Sequence, residues 1–317
     1  MFFLGLLFFG IFVYLSGFFN IEAIKDIEYK PFPLLGSFLA TVCATGIIAG
    51  RWRIIAHSMT NGQVPSWFEF CHFFIVSHLW GYILPKDVTD IIGRSAFLKY
   101  SGKLSAFYSA SSVILDRMFD LLVMGIFFLA SLPYWLGFFS VSHSIILILT
   151  LNILITIILL LREKMFFLVM QSCFDLCFKV LFLFPWLKKK TLPSIIVDDL
   201  LKERVAVQTY LLSLLKFGFI VSRLILFAKA LDVDVSPWLI LLGAPLGQLA
   251  YLVAFTPGGL GIYEAGWFAI LVAGGVQQEQ AALFVVGQRI FLFVFTCILA
   301  LFSSLFTLKK TICAQNQ

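Results

Sequence analysis

Pro257-Gly258-Gly259-Leu260-Gly261-Ile262-Tyr263-Glu264 interrupts an otherwise apolar run with a proline, three glycines and a carboxylate. In hydrocarbon every backbone N–H and C=O group needs a hydrogen-bond partner, so a broken helix is tolerated only where it is buried in protein or lines a water-filled cavity. A carboxylate inside a membrane segment is also costly, which makes Glu264 a candidate functional residue with a cationic or polar partner. The stretch predicts a broken membrane helix at a site whose candidate residues are Pro257, Gly258, Gly259, Gly261 and Glu264.

The glycines of this stretch allow close approach of the backbone and unusual dihedral angles. A helix that begins near Leu260 would direct its free N–H groups back at the break, and a helix N-terminus is a binding site for anions. Glu264, in the first turn, is also positioned to cap that helix. The stretch therefore indicates a place that could hold a lipid phosphate.

The composition of the chain indicates an integral membrane protein. Of the 317 residues, 61% are hydrophobic and 13% are charged, and the mean hydropathy is +1.00. Apolar runs near the roughly 20 residues that a bilayer requires recur along the chain. We therefore expect an all-α polytopic membrane protein in which residues 1–317 form a single integral membrane domain.

Sequence signals for several other protein classes are missing. The six cysteines are scattered and lie mostly in apolar runs, where free cysteine behaves as a small buried hydrophobe, so neither a disulfide nor a metal site is predicted. The four histidines form no metal-binding motif, and there is no Walker-type loop or dinucleotide fingerprint. We expect no cofactor, no nucleic-acid partner and no nucleotide-driven motor.

Eight apolar runs have the length of membrane-spanning helices. They cover about residues 2–19, 33–50, 67–84, 104–132, 141–161, 205–230, 237–256 and 279–308. Two shorter segments, 87–100 and 261–275, follow Pro85 and Pro257; the first is too polar and the second too short to span the bilayer alone. The sequence predicts about eight full transmembrane helices plus two short broken or re-entrant helices.

The distribution of basic residues predicts the orientation. The loop 162–204 carries eight of them, and the positive-inside rule places it in the cytoplasm. The pairs Lys309-Lys310 and Arg51/Arg53 would also be cytoplasmic if each short segment crossed the membrane, whereas purely re-entrant segments would put both pairs outside. Both topologies remain open at this point.

An interfacial helix is predicted inside this loop, over residues 165–186. It is apolar with a few charges and precedes three consecutive lysines. These lysines either attract anionic head groups or only enforce the orientation.

A hidden repeat is suggested by two prolines. Placing Pro85 over Pro257 brings Arg117 over Arg289, because each arginine follows its proline by 32 residues (117 − 85 and 289 − 257). Each half then reads as a span that ends at proline, a short broken segment, a turn and a long span with one arginine. Inverted repeats with broken helices are a recurring transporter architecture. The predicted repeat units cover about residues 67–132 and 237–308.

Asp116, Arg117 and Asp120 lie in the first half of a long predicted span. The two carboxylates are four residues apart on one helical face, and exposing them to lipid would cost several kcal/mol. They should therefore face the interior of the helix bundle. Arg117 can pair there with either carboxylate, which would lock two helices, or with a phosphate, which suits the planar fork of the guanidinium.

Other polar residues inside predicted membrane segments complete the set of candidates. Asp87, Asp90 and Arg94 form a second cluster, in which Asp90 and Arg94 have the spacing of a helical ion pair. Lys216 is explained by snorkelling to the interface, whereas Arg289 occupies the repeat position that matches Arg117. The remaining candidates for substrate binding or transport are Arg223 and Gln248, and Tyr251 could line the same cavity as Gln248.

These motifs resemble a known family, the flippase-like membrane region of the bacterial lysylphosphatidylglycerol synthases. The resemblance rests on Pro-Gly-Gly-Leu-Gly-x-x-Glu at 257–264 preceded by Gln248, and on Asp90 upstream of Asp116-Arg117-x-x-Asp120. It covers nearly the whole chain. One departure is that the family's first break commonly reads Pro-Gly-Arg-x-Gly-Asp-x-x-Arg, whereas the segment from Pro85 here lacks those glycines and places Arg94 one position late.

The resemblance implies that the chain is a free-standing member without a synthase domain. It therefore implies translocation of a lipid across the bacterial inner membrane rather than aminoacyl transfer. We expect the transported partner to be an anionic phospholipid or a polyprenyl-phosphate-linked lipid such as a lipid-linked sugar phosphate. Arg117, Arg289 and the helix start would hold its head group in a wet cavity between two inverted halves. The alternatives are an intramembrane lipid-modifying transferase and a membrane scaffold that binds a separate synthase or glycosyltransferase.

Overall fold

The computed structural model describes residues 29–60, 64–84, 86–101, 105–161, 172, 203–253 and 256–315. Within these residues the secondary structure is helical, with no strand, which confirms the all-α class. The α-helices in the described part of the chain are α1 (Pro31–Ser58), α2 (Trp67–Trp80), α3 (Lys86–Tyr100), α4 (Ala106–Trp135), α5 (Val141–Leu161), α6 (Glu203–Ala230), α7 (Pro237–Val253), α8 (Ile262–Ala273) and α9 (Gln278–Gln315).

Four of the described helices are long and apolar enough to cross a membrane. They are α1, α5, most of α6 (Arg204–Ala230) and the part Gln278–Thr307 of α9. The chain is therefore a multi-pass membrane protein. The apolar helix α8 has 12 residues, about 18 Å at 1.5 Å per residue, which is shorter than a hydrocarbon core of about 30 Å.

Two predicted segments lie outside the described residues. They are the first span, 2–19, and nearly all of the basic loop 162–204 with its interfacial helix. A third segment differs from the prediction: the span expected over 33–50 continues as α1 to Ser58. Arg51 therefore lies inside a helix, where it is fully buried, and is not a loop charge of the kind that the positive-inside rule counts.

The described residues divide into two compact units. The first unit is drawn from Met1–Ala49, Trp67–Arg94 and Leu215–Gln317, and the second from Gly50–Ser66 and Ser95–Leu214.

In the first unit, α7 and α8 form a tightly packed antiparallel hairpin around the proline–glycine break. A Cβ atom added at Gly247 on α7 would collide with the indole of Trp267 on α8, and one added at Gly266 would lie 2.8 Å from Cβ of Ala250. Small residues at such positions let helix backbones approach closely in a membrane, where packing rather than hydrophobic exclusion holds helices together.

A second contact in the first unit joins α2 to α9. The two helices run antiparallel, since the ring of Phe68 contacts that of Phe306 and the ring of Tyr82 contacts that of Phe293. His72 Nδ1 lies 3.0 Å from Ser303 Oγ between these two contacts. The pairing places the end of α2 next to the part of α9 that carries Arg289.

In the second unit, polar side chains connect the C-terminal part of α1, α4, α5 and the N-terminal part of α6. Trp52 Nε1 donates a 3.3 Å hydrogen bond to Ser112 Oγ, and Tyr210 Oη donates a 2.8 Å hydrogen bond to Asn152 Oδ1. Trp52 and Ser112 are fully buried. Because hydrocarbon offers no water, such hydrogen bonds between helices satisfy polar groups that would otherwise remain desolvated.

Candidate functional site

The break between α7 and α8 depends on glycine at position 258. The short 3₁₀ turn Pro257–Gly259 follows α7, and Gly258 has a φ of +60°. A Cβ atom added at Gly258 would lie 2.5 Å from Nη2 of Arg289 and 3.4 Å from the carbonyl oxygen of Gly81. Any other residue would suffer backbone strain and would also displace Arg289.

The first turn of α8 is capped by a carboxylate. Glu264 is fully buried, and its Oε2 accepts a 2.7 Å hydrogen bond from the backbone N–H of the N-cap residue Gly261. This bond satisfies one of the N–H groups that a helix start leaves without a partner. Glu264 therefore caps α8, as the sequence suggests. The anion at this N–H is the protein's own carboxylate.

Arg289 on α9 is the cation beside this carboxylate. Its Nε lies 3.5 Å from Oε1 of Glu264, its Nη2 donates a hydrogen bond to the carbonyl of Gly258, and its guanidinium carbon lies 5.1 Å from the ring centroid of Tyr82. We call Glu264, Arg289, Gly258 and Tyr82 the Glu264–Arg289 cluster; all four belong to the first unit. The Nε–Oε1 separation exceeds the 2.7–2.9 Å of a short charge-assisted hydrogen bond, so the ion pair is loose.

Arg223 on α6 lines a small cavity with Gln288, the residue that precedes Arg289. The cavity has a volume of about 10 Å³, which is room for about one water molecule. Gln288 Nε2 donates a 2.8 Å hydrogen bond to Tyr263 Oη. Nε of Arg223 and Oε1 of Gln288 are buried and have no hydrogen-bond partner among the described residues.

A second charged cluster lies in the second unit, around Arg51. Nε of Arg51 donates a 2.7 Å hydrogen bond to Asp116 Oδ1, and Nη1 donates to Asp120 Oδ1 and, at 2.6 Å, to Ser213 Oγ. We call Arg51, Asp116, Asp120 and Ser213 the Arg51 cluster. All four side chains are almost completely buried, so the guanidinium is compensated by two carboxylates inside the protein.

Arg117 stands at the margin of this cluster. Its Nη1 lies 3.9 Å from Asp120 Oδ2, and its side chain is 31% exposed. The shortest bonds of Asp116 and Asp120 in this cluster go to Arg51 rather than to their sequence neighbour Arg117. Arg117 is thus the more accessible cation of the second unit's two clustered arginines.

The comparisons with known proteins identify the family. A family model described as "Lysylphosphatidylglycerol synthase TM region" matches residues 2–300. The chain belongs to this family. The comparisons with curated proteins and with solved structures found no match.

In this member of the lysylphosphatidylglycerol synthase transmembrane family, Asp90 and Arg94 form the ion pair that their spacing predicts. Arg94 Nη1 donates a 3.2 Å hydrogen bond to Asp90 Oδ2, and both side chains are buried. The guanidinium carbon of Arg94 also lies 5.8 Å from the ring centroid of Phe74 on α2. The pair therefore forms although the segment lacks the glycines that the family's first break commonly has.

The structure describes the remaining candidate residues in less detail. Gln248 is half-buried on α7. The side chains of Asp87, Tyr251 and Pro257 lie outside the described part of the structure. No group of three or more histidine, cysteine, aspartate or glutamate side chains that could hold a metal ion occurs among the described residues.

Reasoning from the sequence missed Arg51 as a site residue. Arg51 follows a predicted span, so the sequence places it with Arg53 as a loop charge. The available signal was that the residues after it, Ile54-Ile55-Ala56, continue the apolar run. Ser213 and Tyr82 carried no such signal, because a serine or a tyrosine near a membrane helix end is common and its partner lies far away in the chain.

Proposed function

We propose that this protein translocates an anionic phospholipid, or a lipid-linked sugar phosphate, between the leaflets of the bacterial inner membrane. Membership of the lysylphosphatidylglycerol synthase transmembrane family and the apolar helices support a role with membrane lipids. The observation that carries the proposal is the Glu264–Arg289 cluster. A buried ion pair at a broken helix is costly in a membrane, and such intramembrane charges usually mark a transport pathway.

The geometry of the cluster supports an exchange of partners on Arg289. Glu264 uses Oε2 to cap α8, so only Oε1 faces the guanidinium, and it does so at 3.5 Å. A head-group phosphate can offer two oxygens to the planar guanidinium and form the shorter bidentate contact. In the proposed cycle the phosphate displaces Oε1 from Arg289 while Glu264 continues to hold the helix start, and Glu264 takes Arg289 back when the lipid leaves.

The proposal keeps about eight full spans and two short broken helices as the architecture, and it assigns no chemical transformation to the chain. Because the sequence has no nucleotide-binding motif, the lipid would move down its own concentration gradient, or its movement would be coupled to protons or driven by the membrane potential. A separate synthase or glycosyltransferase would supply the lipid.

The test is leaflet exchange in liposomes that contain the purified full chain. Head-group-labelled phosphatidylglycerol is placed in both leaflets, and its accessibility to an external quencher is followed for the wild type and for Arg289→Gln. Lys99→Gln is the matched control. It also removes one positive charge, but Lys99 is exposed and lies outside the cluster.

We expect exchange by the wild type and by Lys99→Gln, and at least a tenfold slower exchange by Arg289→Gln. The proposal is wrong if the wild type exchanges no anionic lipid with or without a proton gradient and a membrane potential. Conversion of the lipid into a new product by the purified protein would also contradict it and favour the transferase.

A further inference from the structure

The helices of the chain repeat at a constant offset of 172 residues. Helices α1 and α6 end at Ser58 and Ala230, and 230 − 58 = 172. Helices α4 and α9 begin at residues 106 and 278, and 278 − 106 = 172 again. Helix ends vary by one or two residues between assignments. Two exact coincidences at the offset that also separates Pro85 from Pro257 therefore indicate a duplicated four-helix unit.

Identical residues occur at the same offset along both copies. The first copy is α1–α4 and the second is α6–α9, with α5 between them. The identical pairs include Gly46/Gly218, Arg51/Arg223, Pro65/Pro237, Pro85/Pro257 and Arg117/Arg289. The duplication therefore includes α1 and α6, and it makes Arg51 and Arg223 equivalent residues.

The short helices of the two copies also pack in the same register. In the first copy, a Cβ atom added at Gly93 on α3 would lie 2.6 Å from Ser77 Oγ on α2. The positions 172 residues further on are 249 and 265. In the second copy the contact is between 247 and 267, which is the same antiparallel register moved by two residues along each helix. Equivalent helix pairs thus make equivalent contacts.

The two equivalent arginines face different partners. Arg51 is bound by Asp116 and Asp120 of α4. The equivalents of these carboxylates on α9 are Gln288 and Leu292, because 116 + 172 = 288 and 120 + 172 = 292. Both of them line the cavity of Arg223. The second copy has kept the arginine and the position of its neighbours, but an amide and a hydrocarbon stand where the first copy has two carboxylates.

The second copy also retains a counterpart of Ser213, the third partner of Arg51. Arg51 donates to Ser213, a hydroxyl on the N-terminal part of α6, and the cavity of Arg223 is lined by Ser37, a hydroxyl on the N-terminal part of α1. No carboxylate lines that cavity, and Nε of Arg223 has no hydrogen-bond partner in the described parts of the chain. A guanidinium with a buried Nε favours an anionic partner, and the positions equivalent to Asp116 and Asp120 supply none to Arg223.

We propose that Arg223 binds the anionic phosphate of the transported lipid's head group, with the amide of Gln288 as a second hydrogen-bonding group. The Arg51 cluster is the neutralised copy of the same site and stays paired within the protein. The inference rests on the proposed function for the identity of the lipid. A cavity of about 10 Å³ admits only about one water molecule, so the head group enters after the lining side chains move.

The test restores the missing carboxylate. Gln288→Asp places an anion where the first copy has Asp116, so Arg223 becomes paired inside the protein, and Arg223→Gln removes the cation. Binding of labelled phosphatidylglycerol and of labelled diacylglycerol, which lacks the phosphate, to the purified full chain is measured in detergent micelles, with inorganic phosphate as the competitor. Glu279→Gln, on the exposed first turn of α9, is the matched control.

We expect the wild type and Glu279→Gln to prefer phosphatidylglycerol. Both Gln288→Asp and Arg223→Gln should weaken its binding at least tenfold, while diacylglycerol binding, which involves no phosphate, is unchanged. Gln288→Asp should also unfold at a temperature no lower than the wild type, because it adds an ion pair; this separates loss of the site from loss of the fold. Competition by inorganic phosphate at equal concentration would overturn the assignment to a lipid.

The two proposals fail in different ways. If the wild type exchanges phosphatidylglycerol between leaflets and both variants bind and exchange it as the wild type does, Arg223 is not the site and the proposed function stands. If phosphatidylglycerol binds in an Arg223-dependent manner but no lipid is ever exchanged, the anion site stands and translocation is wrong.

Discussion

Nε of Arg51 and Oδ1 of Asp116 are joined by a 2.7 Å hydrogen bond between side chains that are both buried and lie 65 residues apart in the chain. The bond joins α1 to α4 inside the second unit. Because both groups are buried, removing either one would leave the other charge without this partner in surroundings without water.

Replacing Asp116 by Ala should destabilise the protein by about 3–5 kcal/mol, because the buried guanidinium of Arg51 would lose one of its two compensating carboxylates. The measurement is the free energy of unfolding in mixed micelles with a denaturing detergent. Asp234→Asn serves as the control, since Asp234 is exposed and outside the cluster. Equal stability of Asp116→Ala and the wild type would show that Asp120 alone compensates Arg51.

Replacing Gly258 by Ala should slow leaflet exchange at least tenfold, since the new Cβ atom would lie 2.5 Å from Nη2 of Arg289. The positive φ adds a cost of about 1–3 kcal/mol in stability. Gly125→Ala is the matched control, because a Cβ atom at Gly125 meets nothing within 4 Å. Unchanged exchange in Gly258→Ala would mean that the position of Arg289 does not control transport.

Glu264→Gln and Glu264→Ala should separate the two roles of this carboxylate. Gln can still accept a hydrogen bond from the N–H of Gly261 but carries no charge for Arg289, so we expect it to keep most of the stability and to lose exchange. Ala removes the cap as well and should cost about 1 kcal/mol more in stability. Thermal unfolding and liposome exchange are measured on the same preparations. If Gln exchanges lipid like the wild type, the charge of Glu264 has no part in translocation.

The break at 257–261 could be predicted from the sequence because its cause is local. Proline lacks an N–H group and glycine lacks a Cβ atom, so a helix ends there whatever surrounds it. The cap by Glu264 is also local, since it depends on a spacing of three residues between the N-cap and the carboxylate. The pair of Asp90 and Arg94 follows in the same way from a spacing of four.

The partners of the buried charges could not be predicted in this way. The sequence suggested that Arg117 would pair with its neighbours, but their shortest bonds in the cluster go to Arg51 on another helix. A helix presents each side chain in one direction, and which cation stands opposite depends on how distant helices pack. The equivalence of α1 and α6 was hidden for a related reason: two apolar runs look alike at any offset, and only their ends, once known, align them.

The sequence by itself determined that this protein lies in a membrane, that its helices break at Pro257, and that Glu264, Asp116 and Asp120 must be buried, because hydropathy and backbone chemistry act over a few residues. Only the tertiary structure decided that Arg51 is neutralised by two carboxylates while its equivalent, Arg223, has an amide and a leucine in their places. The physical reason is that compensation of a buried charge depends on distance in space, which packing sets between residues far apart in the chain.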